Sequence, residues 1–301
     1  MKHYKAQCRT HITPSLGAVR LSELTAPQIQ AFYNKMQRDG LAPKSVRNIH
    51  GILTKCLSTA VRVGYLRVNP AASVTLPKVV RKEIHPLTDR QVQDFLKAAD
   101  DDEYGILLKV ILFTGLRESE AIGLTWDCID FKMGTLKICK QLQKRPLKDG
   151  GFTFTPLKNN KTRILKPAPF VMKLLECRKY EQAEQRLMVG DLWEGWNSAE
   201  ERKPALVFTS VIGKNLHPQT VYNHYKKLAT KIGIPESRVH DLRHTFAVLS
   251  LQNGDDVKTV QSNLGHATAA FTLDVYGHVS EKMKNDSAAR MEAYIEGISG
   301  Q

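Results

Sequence analysis

The amino-acid sequence predicts a mainly α-helical protein with a small antiparallel sheet, divided into two domains. Three observations carry this reading. The chain has 301 residues, more than one typical domain holds. Apolar residues recur at helical spacing behind capping sequences over most of its length. β-prone runs separated by turn clusters are confined to one stretch, 129–167. A hydrophobic content of 42% with 25% charged residues excludes a disordered or low-complexity chain. No run of 18 apolar residues exists, so no membrane-spanning helix is expected. The first 16 residues hold Lys2, Lys5 and Arg9 without an apolar segment, unlike a secretory signal. The five cysteines (8, 56, 128, 139 and 177) form no Cys-x-x-Cys pair and read as reduced thiols of a cytoplasmic protein.

The elements follow in order. Thr25 with Gln28 makes a capping box, and Ile29, Phe32 and Met36 share one face until Asp39-Gly40 stops the helix. A second helix is predicted from about Pro43 to Val63. At 100° per residue, Lys44, Lys55 and Arg62 fall within about 20° of one another and Arg47 about 60° away, opposite Val46, Ile49, Leu53, Leu57 and Ala60. Pro70, Pro77 and Pro86 then mark a linker, with a boundary near 78–84. Thr88 with Gln91 opens the second domain. Ile106–Phe113 is apolar nearly all round and ends at Gly115, the pattern of a buried helix. Thr135–Cys139, Phe152–Thr155 and Arg163–Leu165 form the sheet. Further helices are predicted over Pro169–Met188, Pro218–Ile232, Asp241–Gln252, Asp256–Asn263 and Ser280–Ile295, with Asp191–Lys203 as a loop insertion.

Charge is distributed unevenly. Residues 1–78 carry 12 Lys and Arg against Glu23 and Asp39, a net +10. The remainder carries 32 basic and 28 acidic side chains, a net +4. A concentrated basic field fits a polyanion, and the predicted Pro43–Val63 helix, apolar behind and basic in front, is shaped to lie against phosphates. Lys44, Arg47, Lys55 and Arg62 are its candidate DNA-binding residues. The bland alternative is a basic surface that only aids solubility.

No Walker loop, G-x-G-x-x-G, H-E-x-x-H or G-x-S-x-G motif is present. His240 and His244 have the i,i+4 spacing of metal ligands. The one nearby carboxylate, Asp241, points off that face, so no metal is expected. Groups suited to phosphate are more prominent. Arg117 opens a new helix after Thr114-Gly115-Leu116, where backbone N–H groups favour anions. His240 and Arg243 lie one turn apart on one helix face. His266 follows a helix end at Leu264-Gly265, Lys158 sits in a turn of the sheet, and Tyr276 comes ten residues after His266.

Taken in chain order, TGLRESE, HDLRH, LGH and DVYGH resemble the tyrosine recombinase (phage integrase) family, most of all the integrases of phages and conjugative transposons. Residues 88–301 resemble its α+β catalytic domain with a C-terminal tail helix. Residues 1–78 resemble its helical core-DNA-binding domain, with ITPSLG and Asn69-Pro70 as further matches, and 79–87 its linker. The resemblance places the family's catalytic groups on Arg117, Lys158, His240, Arg243, His266 and Tyr276, with Glu120 as the acid that holds an arginine. Lys161 lies in the same turn as Lys158, so either lysine fits. Tyr4, Tyr222 and Tyr225 are rival tyrosines, but none follows a motif histidine at this spacing.

The resemblance implies transesterification. A tyrosine oxygen attacks phosphorus, a 3′-phosphotyrosyl link forms, and the 5′-hydroxyl of another strand reverses the step. No nucleotide or metal cofactor is required. The implied partners are double-stranded DNA at recombination sites, further copies of the chain as a dimer or tetramer on DNA, and accessory excision factors. The implied place is the cytoplasm of a bacterial host. The family's arm-binding domain has no match, so a fragment of a longer integrase is one expectation. A type IB topoisomerase, or a DNA-binding protein of the same fold without catalysis, is the alternative.

Overall fold

A computed structural model describes residues 2–80, 85–146, 151–158, 161–195, 205–265 and 281–299. The chain divides into two compact units, Met1–Glu83 and Ile84–Gln301.

The first unit is built on two helices, α3 (Ala26–Arg38) and α4 (Pro43–Arg62). The Thr25 N–H donates to the Gln28 side chain at 2.8 Å, which starts α3 at the expected place. Gly40, at φ 85°, ends it. Ile29, Phe32, Tyr33 and Met36 pack with Val46, Ile49, Leu53 and Leu57, so both amphipathic faces are spent on one core. Asn69 fixes the chain after α4. Its Nδ2 donates to the Thr54 carbonyl (3.1 Å) and the Ser58 hydroxyl (2.8 Å), while its Oδ1 accepts from the Ala71 N–H. Before these helices, Lys2–Gln7 (α1) continues through a π-helical turn, Cys8–Ile12, into Thr13–Leu16 (α2). Among the described side chains of this run only Leu16 is buried. With so narrow an apolar face, the run carries no helical periodicity to read from sequence.

The second unit opens with α5 (Asp89–Asp100), capped by Thr88 and Gln91 as expected. Helix α6 (Gly105–Thr114) runs through the centre. Even its Lys109 is buried, with the ammonium on Asp100. Gly115 ends α6 at φ 63°, and a Cβ there would lie 2.5 Å from Phe246 and 2.6 Å from Leu264. Glycine is required on both counts. A single turn, α7 (Glu118–Ala121), leads to the strands. β1 (Ile129–Asp130), β2 (Thr135–Ile138) and β5 (Arg163–Leu165) form a three-stranded antiparallel sheet in the order β1-β2-β5. β3 (Lys140–Lys144) and β4 (Phe152–Pro156) form a separate hairpin.

The single sheet expected from sequence is therefore two. Cys139 separates β2 from β3, and the polar β3 run (Lys-Gln-Leu-Gln-Lys) lacks the β-branched signal that marks a strand. Helices α8 (Pro169–Val189), α9 (Pro218–Lys231), α10 (Val239–Gln252), α11 (Val257–Leu264) and α12 (Glu281–Ser299) complete the described unit. The Asp191–Lys203 insertion begins within a 3-10 turn, Gly190–Leu192, which is followed by the buried Trp193. Its remainder, 196–203, falls outside the described residues. Helix α6 packs on α10, and α10 on α11, which brings the ends of α6 and α11 together.

Candidate functional site

The site assembles around the C-terminal end of α11. The last carbonyls of a helix have no partner within it and carry partial negative charge. Here three consecutive ones receive arginines from three different elements. Arg163 on β5 donates its Nε to the Asn263 carbonyl at 2.8 Å. Arg243 on α10 donates Nη2 to the Leu264 carbonyl at 2.7 Å and Nη1 to the Gly115 carbonyl at 2.5 Å. Arg117 donates Nη2 to the Gly265 carbonyl at 3.3 Å. Arg243 is 1% exposed and is the bulkiest fully buried side chain among the described residues.

Three guanidinium groups this close would repel one another without a counter-charge. Glu120, 1% exposed, supplies it. Its Oε1 accepts from Arg117 Nη1 at 2.7 Å and its Oε2 from Arg163 Nη2 at 2.7 Å, with a further bond from Arg163 Nη1 at 3.2 Å. Oε2 also accepts the Arg117 backbone N–H at 3.0 Å. Burial alone would push this carboxyl up. The hydrogen bonds and charges of Arg163 and Arg117 outweigh that and hold it below its ordinary value. At the Arg117 helix start the backbone N–H is received by an anion of the chain's own, the Glu120 carboxylate. The pair is also more than an i,i+3 surface contact, because Arg163 shares it.

Sequence reasoning does not single out Arg163. It lies in a predicted strand, where alternating side chains face opposite ways, and no local motif marks it. Only the pairing of β5 with β2 and the contact of β5 with α11 turn it toward Glu120.

Beside this cluster lies a cavity of about 150 Å³ lined by Arg117, Leu157, Lys158, Lys161, Thr162, Arg163, Gln261, Ser262 and Gly265. Both candidate lysines border it, and both are exposed. His240 occupies the first turn of α10, which starts two residues before the predicted Asp241. Asp241 acts as a cap, accepting the Arg238 N–H at 2.8 Å. The His240 and His244 rings meet edge to face, 4.7 Å between centroids. The His240 residue keeps contact with solvent, but partial desolvation of its ring by the surrounding protein, then the charge of Arg243, lowers its pKa against a partial offset from Asp241, with Arg117 lowering it further. Burial and the adjacent His240 bring His244 down to about 4. Both rings are thus neutral near neutral pH. His266 and Tyr276 lie outside the described residues.

Of the rival tyrosines, Tyr225 is buried with its hydroxyl 2.5 Å from Ser237, and burial pushes it up to about 12. Tyr4 and Tyr222 are exposed. Among the described residues no group of His, Cys, Asp and Glu is arranged to hold a metal ion, and no helix is long and apolar enough to cross a membrane.

In the first unit, Lys44, Arg47, Lys55 and Arg62 are all exposed on α4. Arg47 has a second attachment, donating Nε to the Pro77 carbonyl at 2.8 Å. Arg47 and Lys55 line an open cavity of about 730 Å³ with Tyr4, Asn48 and Thr59.

A model of the Phage integrase family matches residues 85–283, and a model of its N-terminal SAM-like domain matches residues 1–37. The chain belongs to the phage integrase family. This integrase-family chain is 26% identical over 298 residues to a "Tyrosine recombinase XerC-like" protein of Caldanaerobacter subterraneus subsp. tengcongensis, covering 94% of this chain and 75% of that protein. It is 26% identical over 289 residues to the ICEBs1 integrase of Bacillus subtilis, covering 94% and 74%. In fold it matches the Tn1549 transposon integrase solved in complex with transposon right end DNA, with a TM-score of 0.79 and 19% identity, over 97% of this chain and 93% of that one. The mainly helical fold with small antiparallel sheets is the one the integrase resemblance implied.

Proposed function

We propose that this integrase-family chain is a site-specific DNA recombinase that cuts and rejoins duplex DNA through a 3′-phosphotyrosyl intermediate and so integrates or excises a mobile element. The observation that carries the reading is the convergence of Arg117 and Arg243, far apart in sequence, on the adjacent carbonyls of Gly265 and Leu264, immediately before His266.

A phosphodiester under attack gains negative charge on its non-bridging oxygens. Guanidinium groups already fixed by protein acceptors meet that charge without reorganising. Their positions are set by Glu120, by the Gly115 carbonyl and by the end of α11. Tyr276 is the nucleophile. His240, held neutral, takes the phenol proton as its oxygen bonds to phosphorus. His266 donates to a phosphoryl oxygen. Lys158 or Lys161, both at the cavity edge, protonates the departing 5′-oxygen, which otherwise leaves as a poor alkoxide. Attack by the 5′-hydroxyl of a second strand reverses these transfers. The chemistry conserves the ester bond, so no nucleotide is consumed, and the two guanidinium groups supply the charge stabilisation for which a metal would otherwise be used.

The exposed cations of α4 track the phosphate backbone. The chain acts as a dimer or tetramer on paired sites, with accessory excision factors, in the cytoplasm of a bacterial host.

The test uses a nicked duplex chosen from a randomised library for binding to the full chain. Cleavage there loses the short strand and traps the adduct. A covalent protein–DNA band in chelator, absent in Tyr276→Phe with DNA affinity retained, is the expected result. No band with any selected duplex, or a band that persists in Tyr276→Phe, refutes the proposal. Relaxation of supercoiled plasmid without site preference would instead favour a type IB topoisomerase.

A further inference from the structure

We infer that Arg163 is a positioning residue for the strand-transfer reaction: through Glu120 it fixes the Arg117 guanidinium, and through Asn263 it ties that arginine to the end of α11. This deepens the recombinase reading and rests on it.

Each contact bears on the point. The Arg163 side chain is 8% exposed and directs Nε, Nη1 and Nη2 at protein acceptors. All three of its guanidinium nitrogens are thus taken by Glu120 or by the end of α11. Its fork grips both Glu120 oxygens, leaving the carboxylate one orientation, the one in which Oε1 receives Arg117 Nη1. Arg117, at 25% side-chain exposure, remains the accessible member of the network.

Gly265 supplies an independent observation. A Cβ there would lie 3.0 Å from Arg163 Nη1 and 3.3 Å from its Cζ, so the chain just before His266 is packed directly against this guanidinium. Arg163 therefore touches three parts of the site at once: the acid that holds Arg117, the end of α11, and the glycine whose carbonyl Arg117 itself reaches.

The variants are Arg163→Met, which keeps bulk but removes charge and donors, and Arg163→Lys, which keeps charge but loses the fork. Adduct formation is followed on the selected nicked duplex at saturating DNA, with affinity measured separately. Arg163→Met is expected to slow cleavage about 10–100-fold, the range for groups that orient reacting ligands, with DNA affinity within about threefold. Arg163→Lys is expected to recover part of the rate. In Arg163→Met the buried Glu120 carboxyl loses its main stabilising charge, so its pKa rises. Cleavage should then fall off at a higher pH than in wild type, and that displacement of the acid limb should vanish in Arg163→Met/Glu120→Gln. In the Glu120→Gln background the Arg163→Met effect should shrink to within about threefold.

A folded Arg163→Met protein with wild-type rate and pH profile overturns the inference. So does a rate loss equal in both Glu120 backgrounds. Wild type that forms no Tyr276-dependent adduct refutes the recombinase reading instead. The inference is then decided by the crystal structure of Arg163→Met: an Arg117 guanidinium displaced from the Gly265 carbonyl supports it, and an unmoved one overturns it.

Discussion

Glu120→Ala tests the electrostatics of the site directly. The carboxylate is 1% exposed and accepts four hydrogen bonds from two arginines. Removing one partner of a buried ion pair typically costs about 3–5 kcal/mol, because the charge left behind is neither paired nor hydrated. Here two charges are left. Arg117, a quarter exposed, can regain water, whereas Arg163 at 8% cannot. The expected loss is therefore about 3 kcal/mol. At about 2–4 °C per kcal/mol for a unit of this size, the melting temperature should fall by roughly 6–12 °C. Glu120→Gln keeps an acceptor and should lose about half as much.

The assay is thermal and urea unfolding of the full chain followed by circular dichroism from pH 8 to pH 4. A carboxyl whose folded pKa lies below its ordinary 4.5 contributes fully above that value and loses its contribution as pH falls through the folded one. The gap between wild type and variant should hold from pH 8 to about 5 and narrow in more acid solution. A Glu120→Ala protein within about 1 kcal/mol of wild type at pH 7.5, or a gap that widens in acid, would refute the reasoning.

Four further outcomes are expected. Replacing Lys44, Lys55 and Arg62 by alanine should reduce the slope of log affinity against log salt by about 0.9 for each phosphate no longer neutralised, and an unchanged slope would remove α4 from the DNA face. Arg47→Ala should also lower the stability of the first unit, since it frees the Pro77 carbonyl. With a 5′-thiolate leaving group, which needs no proton, the alanine variant of the acid lysine should cleave at near wild-type rate. Lys158→Ala and Lys161→Ala compared on oxygen and sulfur substrates will show which one that is, and rescue of neither would remove both from the proton transfer. Because the His240 pKa lies below 6.5, its neutral form predominates above that pH. Cleavage should be flat from pH 7 to 8 and fall only in more acid solution, as the ring protonates. A rate still rising steeply from pH 7 to 8 would mean that a different group is the base.

Local signals were legible wherever a side chain acts on its own backbone. The capping residues Thr25, Gln28, Thr88 and Gln91, the left-handed stop at Gly115, and the basic front of α4 all follow from periodicity and short-range hydrogen bonding. The helical run before residue 17 and the polar strand β3 were not legible, because burial on one narrow face and pairing with a distant strand leave no period in the sequence. Motif order in the chain named Arg117, Glu120, His240 and Arg243, and all four lie in the described site.

Sequence by itself thus determined which residue types exist for phosphate chemistry and where the apolar faces run, since both are properties of single residues and near neighbours. Tertiary structure alone decided that the end of α11 would take three arginines and that Arg163 would share Glu120 with Arg117. The physical reason is that helix-end carbonyls and a buried carboxylate are non-local partners. A charge finds them only after packing has excluded water and left it nothing else to bond.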